Sequence, residues 1–311
     1  SAMTAPSPTP RACADPLAAP SDHELHRAIS TWFDHAKRDL PWRRPETTPW
    51  GVLVSEVMLQ QTPVVRVAPA WEAWMTAWPT PADLAAASPA DVLRAWNRLG
   101  YPRRALRLRE CAAAIVADHD GEVPHSLPLL LALPGVGEYT AAAVLTFAFG
   151  ERIVVLDTNV RRVLDRLVAG QALPAPSLNN TERQRAAYLL PRDAADAARW
   201  NIGVMELGAL VCTAKSPDCA VCPVANHCQW RAAGYPADEH AARRRTQAWE
   251  GTDRQARGRV LAALRHSAKP VTADEVATLW PDAAQLARAV ASLLTDGLIE
   301  QADDDGALPL P

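Results

Sequence analysis

The segment LPGVGEYT, residues 133–140, decides the fold predicted for this chain. Gly135 and Gly137 permit a tight turn and let the backbone approach another molecule closely. The amides of the turn lie at the start of a helix predicted from residue 138, and a helix N-terminus is a ready site for an anion. A helix–hairpin–helix of this kind binds one DNA phosphate without reading base sequence. A plain turn between helices is the alternative, but the preceding Leu-Pro and the apolar helix on each side favour the phosphate-binding hairpin.

The chain around this hairpin has the pattern of successive helices. From residue 22 to about residue 232, short turns marked by Pro or Gly separate helical patterns, and strand patterns are nearly absent. Trp71, Trp74 and Trp78 recur at i, i+3 and i+7, which predicts one packed helix face. Further helices are predicted over residues 127–133, 138–149 and 159–168. The predicted fold class is therefore mainly α.

The two ends of the chain differ from this helical region. Residues 1–21, rich in Pro and small residues, are predicted to be a disordered tail, and the polar, Arg-rich residues 233–252 a linker. Helices are predicted over residues 253–266, 272–280 and 282–296, followed by a small hairpin, which is a winged-helix pattern. Such a module binds DNA or docks on another domain, and its acidic end argues against a wing that faces phosphate.

Composition indicates the cellular compartment of the protein more clearly than its function. The 311 residues, 49% of them hydrophobic, suffice for a large core and indicate two domains or one with an appendage. The absence of a long apolar run and of a secretion signal predicts a protein of the reducing cytoplasm, with no membrane segment. The net charge of −3 neither requires nor excludes nucleic acid, because a local basic face is what matters.

Four of the six cysteines lie in CTAKSPDCAVCPVANHC, residues 212–228. In a reducing compartment, clustered thiols favour a metal site over a disulfide staple. Zinc sites usually pair close ligands as C-x2–4-C, whereas here a single such pair is flanked by spacings of six and five residues. The spacing favours a [4Fe–4S] cluster and leaves zinc open. The predicted ligands are Cys212, Cys219, Cys222 and Cys228; Cys13 and Cys111 are expected to bind no metal.

Two carboxyl groups are candidates for chemistry. In VVLDTNVRRVL, residues 154–164, an apolar run precedes Asp157 at a predicted helix start. Asp157 is either a helix cap or a catalytic group, and the two roles are compatible because a capping aspartate stays ionised near the positive end of the helix. Glu56 lies in WGVLVSEVMLQQTPV, residues 50–64, either exposed with Ser55 and Gln60 or held in an apolar pocket. The segment alone favours exposure; a pocket would raise the pKa of Glu56 and suit a general acid.

These segments, in this order, resemble the helix–hairpin–helix DNA glycosylases of the endonuclease III superfamily. They are most similar to the adenine DNA glycosylases of the MutY type, in particular to short actinobacterial members. The resemblance runs from about residue 38 to residue 228 and rests on six motifs. These are RDLPWR (38–43), SEVMLQQT (55–62), RLGYPRRA (98–105), LPGVGEYTA (133–141), LDTNVRRVL (156–164) and MELGALVC (205–212). The resemblance implies that the four cysteines bind a [4Fe–4S] cluster.

The resemblance also implies a set of catalytic residues. Tyr139 stands where the endonuclease III branch carries a lysine nucleophile, which implies a monofunctional glycosylase. Glu56 matches the acid that protonates adenine at N7, and Asp157 matches the carboxylate that stabilises positive charge on the sugar. Tyr139 and Asn159 match residues that position these groups. Glu206 lies in a matching motif, to which no role is assigned.

The implied partner is double-stranded DNA containing adenine opposite 8-oxoguanine or guanine, bound by a monomer. Gln61 and Tyr101 match residues that wedge into the base stack, and Lys215 lies in a loop near DNA phosphate. Residues 253–311 are too short and too helical for the Nudix-like domain that usually inspects 8-oxoguanine. A glycosylase for thymine opposite guanine and a non-catalytic iron–sulfur DNA-binding protein are the alternatives. The predicted DNA-binding residues are Arg43, Gln61, Thr62, Tyr101, Gly135, Val136, Gly137 and Lys215.

Overall fold

The fold is that of a mainly helical protein, as predicted. The computed structural model describes residues 22–244, 251–301, 304 and 306–311, which form fifteen α-helices. The predicted tail over residues 1–21 lies outside the described residues, as do residues 245–250 of the predicted linker. None of the described helices is long and apolar enough to cross a membrane. The helices are α1 (Asp22–Ala36), α2 (Pro49–Leu59), α3 (Val64–Ala77), α4 (Pro81–Ala86), α5 (Pro89–Trp96), α6 (Arg103–Asp118), α7 (Leu127–Leu131), α8 (Glu138–Phe149), α9 (Thr158–Leu164), α10 (Asn180–Leu189), α11 (Ala194–Leu210), α12 (Gln229–Ala232), α13 (Asp253–Arg265), α14 (Ala273–Ala277) and α15 (Ala283–Thr295).

Contacts divide the described residues into two compact units, each built from two separate parts of the chain. The first, here called the cysteine unit, takes its residues from 1–38 and 151–244. The second, here called the hairpin unit, takes its residues from 39–150 and 245–311. In each unit, helices far apart in sequence therefore share one core.

In the cysteine unit, α11 packs against both α1 and α9. Two glycines of α11 allow this close approach. A Cβ on Gly203 would lie 2.7 Å from a methyl group of Ile29, and one on Gly208 would lie 2.8 Å from the Cβ of Asn159. Real Cβ atoms do not approach other heavy atoms so closely, so both positions require glycine unless the neighbouring helix shifts. The start of α9 is thus held directly against α11.

In the hairpin unit, α2 packs against α3 and α8, and α5 packs against α6 and α13. The predicted tryptophan face is confirmed as core packing. Trp71 and Trp74 of α3 are buried, and Trp74 makes edge-to-face contacts with Trp78 and Trp96 at centroid distances of 4.8 and 5.8 Å. Pro79 and Pro81 follow the helix, as expected from a residue that cannot continue it.

The predicted helix over residues 138–149 is confirmed, and that over residues 159–168 is not continuous. Helix α9 ends at Leu164, and a π-helical turn follows over Asp165–Ala169. Gly170, at a φ of +68°, ends the turn in the left-handed conformation that glycine adopts without strain. Such turns widen the helix locally. Here the turn carries the buried Asp165 and Arg166.

The three helices predicted near the C-terminus are present as α13, α14 and α15. Leu308, beyond α15, forms an isolated antiparallel bridge with Val271, which lies between α13 and α14, and the two residues exchange backbone hydrogen bonds of 3.1 and 2.8 Å. The amide of Glu300 also donates to the carbonyl of Pro309 at 3.0 Å. Residues 302, 303 and 305 of the predicted hairpin lie outside the described residues, so the winged-helix interpretation stays a prediction.

Candidate functional site

Glu56 lies on the buried helix α2 of the hairpin unit. Every residue from 50 to 58 is buried, and Glu56 is only 6% exposed. The exposure of Glu56 that the segment alone favours is therefore wrong. Helices α3 and α8 cover α2, and the sequence of α2 does not show which of its faces they cover. The hydroxyl of Tyr139, in the first turn of α8, donates a 2.8 Å hydrogen bond to Oε2 of Glu56. The structure thus joins a buried carboxyl to the phenol that follows the hairpin.

The hairpin between α7 and α8 has the geometry that its glycines predict. Gly135 has a φ of +77°, which a residue with a side chain rarely adopts. A Cβ at this position would also lie 3.2 Å from the Cβ of Arg107. Val136 is buried and anchors the turn, while Gly135 and Gly137 are exposed. The turn presents its backbone to solvent immediately before the N-terminus of α8, where an anion is favoured.

A cavity of about 190 Å³ lies beside this hairpin. Its lining includes Gly135 and Val136 of the turn and three arginines of α6, Arg103, Arg104 and Arg107. Guanidinium groups bind phosphate oxygens by charge-assisted hydrogen bonds. Arg103 and Arg107 are exposed beside the hairpin, where their guanidinium groups can reach an anion.

The two predicted wedge residues share an unusual backbone conformation. Gln61 has a φ of +58° and Tyr101 a φ of +45°, both in the left-handed region that non-glycine residues seldom occupy. Such strain persists only where the surroundings impose it, and it concentrates at functional sites. Gln61 is exposed and Tyr101 is half-buried. Both residues thus lie at the surface of the hairpin unit on tightly constrained loops.

Arg104, which the sequence did not single out, holds these two loops together. Its guanidinium donates to the carbonyls of Val57, Gln60 and Gly100, and to the hydroxyl of Thr62 at 2.9 Å. Burial lowers the pKa of Arg104 to about 10, so the group is charged at neutral pH. The hydroxyl of Thr62 in turn donates to the carbonyl of Leu99 at 2.8 Å. The structure therefore places Thr62 inside this network rather than at the exposed surface.

Asp157 is the N-cap of α9 in the cysteine unit, as one of its two predicted roles requires. Its carboxylate accepts a 2.7 Å hydrogen bond from the amide of Val160 and one of 3.5 Å from the side chain of Asn159. Burial raises the pKa of Asp157, and these hydrogen bonds, with the charge of Arg162, act against that rise. Arg162 also donates to Oδ1 of Asn159 at 2.7 Å and to the carbonyl of Gly208 at 2.7 Å. Asn159 is thus fixed on both sides.

The cysteine loop is attached to the core of the same unit. Cys212, Cys222 and Cys228 pack against that core, and the five cysteines among the described residues are free thiols. Arg166 of the π-helical turn donates to the Sγ of Cys212 at 3.3 Å, and its carbonyl accepts from the Sγ of Cys228 at 3.4 Å. A disulfide staple within residues 212–228 is thereby excluded.

The donor set of this loop fits an iron–sulfur cluster. Four thiols from one short segment lie close enough that the charges of the other three act on Cys222, whose pKa burial raises to about 11. Four thiolates from one short segment are a ligand set that an iron–sulfur cluster takes. Lys215 is exposed within the loop.

Glu206, whose role the sequence does not indicate, is a buried structural anion. It is 0% exposed, and Arg38 donates to it three times, from its backbone amide at 3.0 Å, from Nε at 2.9 Å and from Nη2 at 2.5 Å. A carboxylate buried to this extent requires such pairing. Glu206 therefore attaches the beginning of the RDLPWR motif to α11.

The predicted site residues fall into two groups. The hairpin unit carries Glu56, Tyr139 and the three hairpin residues, together with the wedge residues and the half-buried Arg43. The cysteine unit carries Asp157, Asn159, Lys215 and the four cysteines. Tyr139 contacts Glu56 in the first group, and Asn159 contacts Asp157 in the second.

Two family models match segments of this chain. Residues 54–187 match the model of the HhH-GPD superfamily of base excision DNA repair proteins. Residues 212–228 match the model of the iron–sulfur binding domain of endonuclease III, which confirms the predicted iron–sulfur segment.

Individual relatives extend the similarity over nearly the whole chain. An adenine DNA glycosylase of Mycolicibacterium smegmatis is 54% identical over 89% of this chain and 92% of its own length. An adenine DNA glycosylase of Mycobacterium tuberculosis is 48% identical over 97% of this chain and 98% of its own. The solved structure of a thermostable thymine-DNA glycosylase superposes with a TM-score of 0.60 and 26% identity, over 68% of this chain and 97% of that one.

Proposed function

We propose, from the premise that this chain belongs to the adenine DNA glycosylase family of the HhH-GPD superfamily, that it removes adenine mispaired with 8-oxoguanine or guanine from duplex DNA. The observation that carries the proposal is the 2.8 Å hydrogen bond between Tyr139 and the buried Glu56. Glu56 supplies the acid that the release of a base requires, and its partner Tyr139 has no amine with which to form a Schiff base. A monomer acting on chromosomal DNA in the cytoplasm is part of the same proposal.

The reaction begins with a flipped nucleotide, because the bond to be broken is inaccessible inside a duplex. The exposed hairpin amides and the arginines beside them bind the strand through its phosphates. Gln61 and Tyr101 occupy the space that the flipped adenine leaves in the stack. The network around Arg104 keeps these two residues in place during that exchange.

Glu56 supplies the proton that makes adenine a leaving group. The protonated carboxyl of Glu56, held by the hydroxyl of Tyr139, donates its proton to N7 of the base. The bond between C1′ and N9 then breaks, its electron pair goes to adenine, and positive charge develops on the sugar.

Asp157 stabilises the cationic sugar in its ionised form. Water adds to C1′ and loses a proton, which gives free adenine and an abasic site. Asn159 orients the carboxylate of Asp157, and Arg162 orients Asn159. Tyr139 has no amine to form a Schiff base with C1′, so the strand is left intact and the enzyme is monofunctional.

The cysteines at positions 212, 219, 222 and 228 hold a [4Fe–4S] cluster in this proposal. When bound, the cluster cross-links the loop and stabilises the fold around it. Arg166 contributes by donating to Cys212 and by fixing the π-helical turn against the loop. Lys215, exposed on that loop, contacts DNA phosphate.

The test is single-turnover base release from four short duplexes, containing adenine opposite 8-oxoguanine, guanine or thymine, and thymine opposite guanine. Products are separated with and without alkali. Release of adenine from the first two duplexes, with strand breaks only after alkali, is the expected result. Release of thymine would favour the activity named for the thymine-DNA glycosylase that this fold resembles. Strand breaks without alkali would contradict the monofunctional mechanism.

A further inference from the structure

The C-terminal helices contact the loop that carries Tyr101. Arg254, in the first turn of α13, places its guanidinium carbon 4.0 Å from the centroid of the Tyr101 ring. A Cβ on Gly100 would lie 3.9 Å from Nη2 of the same guanidinium. Helix α13 also packs on α5, which immediately precedes this loop. The contact therefore belongs to an extended interface within the hairpin unit.

This interface concentrates positive charge. The positive charge of Arg254 contributes to lowering the pKa of Arg104, and that of Arg98 contributes to lowering the pKa of Arg265. In both arginines burial is the larger cause. The Nε of Arg265 is buried and has no hydrogen-bond partner among the described residues. Like charges brought this close repel one another.

One carboxylate at this interface is already engaged. Asp296 accepts a 2.8 Å hydrogen bond from Arg257 and lies 3.9 Å from Arg103. Two pairs of arginines at this interface, Arg104 with Arg254 and Arg98 with Arg265, thus lie close enough to act on each other. A polyanion placed against it would offset the repulsion, and the phosphate backbone of the duplex is the polyanion that the proposed function brings to Tyr101.

We propose that Arg254 is a DNA-binding and positioning residue supplied by the C-terminal helices. Arg254 stacks on the ring of Tyr101 and so helps to hold this residue in its strained backbone conformation. Its charge also contacts a DNA phosphate beside Tyr101. The inference rests on the proposed function, which assigns Tyr101 to the DNA interface. The C-terminal helices then dock on the rest of the hairpin unit and bind DNA, and they do so through α13 rather than through the acidic end of the predicted wing.

The experiment measures affinity for a duplex with 2′-fluoro-deoxyadenosine opposite 8-oxoguanine, in which fluorine destabilises positive charge at C1′ and prevents turnover. Fluorescence anisotropy is recorded between about 50 and 200 mM salt for wild type, Arg254→Gln and Arg254→Lys. We expect Arg254→Gln to bind about fivefold more weakly with a salt slope smaller by about one. Arg254→Lys should keep the slope and lose affinity, since it keeps the charge without the planar stacking group.

Arg259→Gln is the matched control, because Arg259 is an exposed arginine of the same helix that lies over a different ring, that of Trp280. We expect its affinity and slope to equal those of wild type. An equal loss in Arg259→Gln and Arg254→Gln, or wild-type binding by both, would overturn the proposal. Melting temperatures verify that each variant is folded.

A double-mutant cycle with Tyr101→Ala tests the positioning role. If Arg254 acts partly through Tyr101, Arg254→Gln should cost less affinity in the Tyr101→Ala protein than in wild type. Equal costs in both backgrounds would overturn that role. The binding assay needs no excision, so failure of the proposed function would appear separately, as wild-type protein that releases no adenine from the natural duplex.

Discussion

Gly208 lies so close to Asn159 that a Cβ on the glycine would stand 2.8 Å from the Cβ of the asparagine. The contact fixes the first turn of α9 against α11 and so fixes Asp157, the cap of that turn. Helix packing thus contributes to the position of the carboxylate to which the mechanism assigns charge stabilisation.

We expect Gly208→Ala to push α9 away and to lower both stability and excision. Overpacking of this kind costs about 1–3 kcal/mol of the free energy of unfolding. Gly203→Ala is the control, since it overpacks the same helix against Ile29, away from Asn159. Both variants should have lower melting temperatures. Only Gly208→Ala should lower the single-turnover excision rate, by about tenfold or more, when the rate is measured well below the melting temperature. Equal rates would separate Gly208 from the positioning of Asp157.

Asp157→Asn should abolish excision and make the protein more stable at neutral pH. Burial raises the pKa of Asp157 above its ordinary value of 3.8. Between the ordinary pKa of the unfolded state and the raised pKa of the folded state, the folded state binds the proton more tightly. The free energy of unfolding therefore falls as the pH rises through this window. Asparagine caps a helix as well as aspartate does and carries no charge. A melting temperature higher by roughly 2 °C is expected, with DNA affinity unchanged; a lower one would contradict the effect assigned to burial.

The same shift predicts a pH dependence of the wild-type rate. Excision requires ionised Asp157, so the single-turnover rate should fall on the acid side with a midpoint above 3.8. An acid midpoint at or below 3.8 would mean that the titration of another group limits the reaction.

Tyr139→Phe should slow excision without changing affinity for DNA. The substitution removes the hydroxyl that donates to Glu56 and keeps the ring. Loss of one such hydrogen bond at a catalytic acid should lower the single-turnover rate about tenfold. Tyr188→Phe is the control, because this exposed tyrosine undergoes the same chemical change elsewhere. An unchanged rate in Tyr139→Phe would show that Glu56 needs no orientation by the phenol.

Arg104→Lys should weaken DNA binding through the loops of Gln61 and Tyr101. Lysine keeps the charge but cannot reach the carbonyls of Val57, Gln60 and Gly100 together. We expect a loss of about 2 kcal/mol in stability and a DNA affinity lower by about tenfold. Arg109→Lys, on the same helix, breaks a single bond to the carbonyl of Ala87 and should change affinity little. Equal affinities in the two variants would contradict the role of Arg104.

Cys222→Ser should remove the visible absorption of the iron–sulfur protein and lower its melting temperature. Cys111→Ser is the control, because Cys111 is buried in the hairpin unit and is not in the cysteine loop. That variant should keep the spectrum even if it loses some stability. Absorbance of the purified proteins is the measurement, and an unchanged spectrum in Cys222→Ser would contradict the ligand assignment.

The features predicted correctly are those that short segments determine. The turn at Gly135, the helix from Glu138 and the cap at Asp157 each depend on a few neighbouring residues. The burial of Glu56 depends on α3 and α8. A helix that is apolar almost all round does not indicate which of its faces other helices cover, so its sequence does not predict whether its one carboxylate is buried.

Contacts between distant parts of the chain were not predictable for the same reason. Arg38 and Glu206 meet although 168 positions separate them. Arg104 is one of 32 basic residues, and only the loops folded around it distinguish it from the others. Arg254 acquires its place over Tyr101 through the packing of α13 on α5. No local pattern marks such residues.

The interleaved composition of the two units bears on how the protein is made. Helix α1 leaves the ribosome well before its partner α11, which begins more than 150 residues later. Helices α2 to α8 are complete well before α13, which packs on α5, has been synthesised. Each unit must therefore retain an unfinished apolar surface during translation, and ordering it requires closing a long loop. Nascent chains of this protein should depend on chaperones until the C-terminal helices emerge.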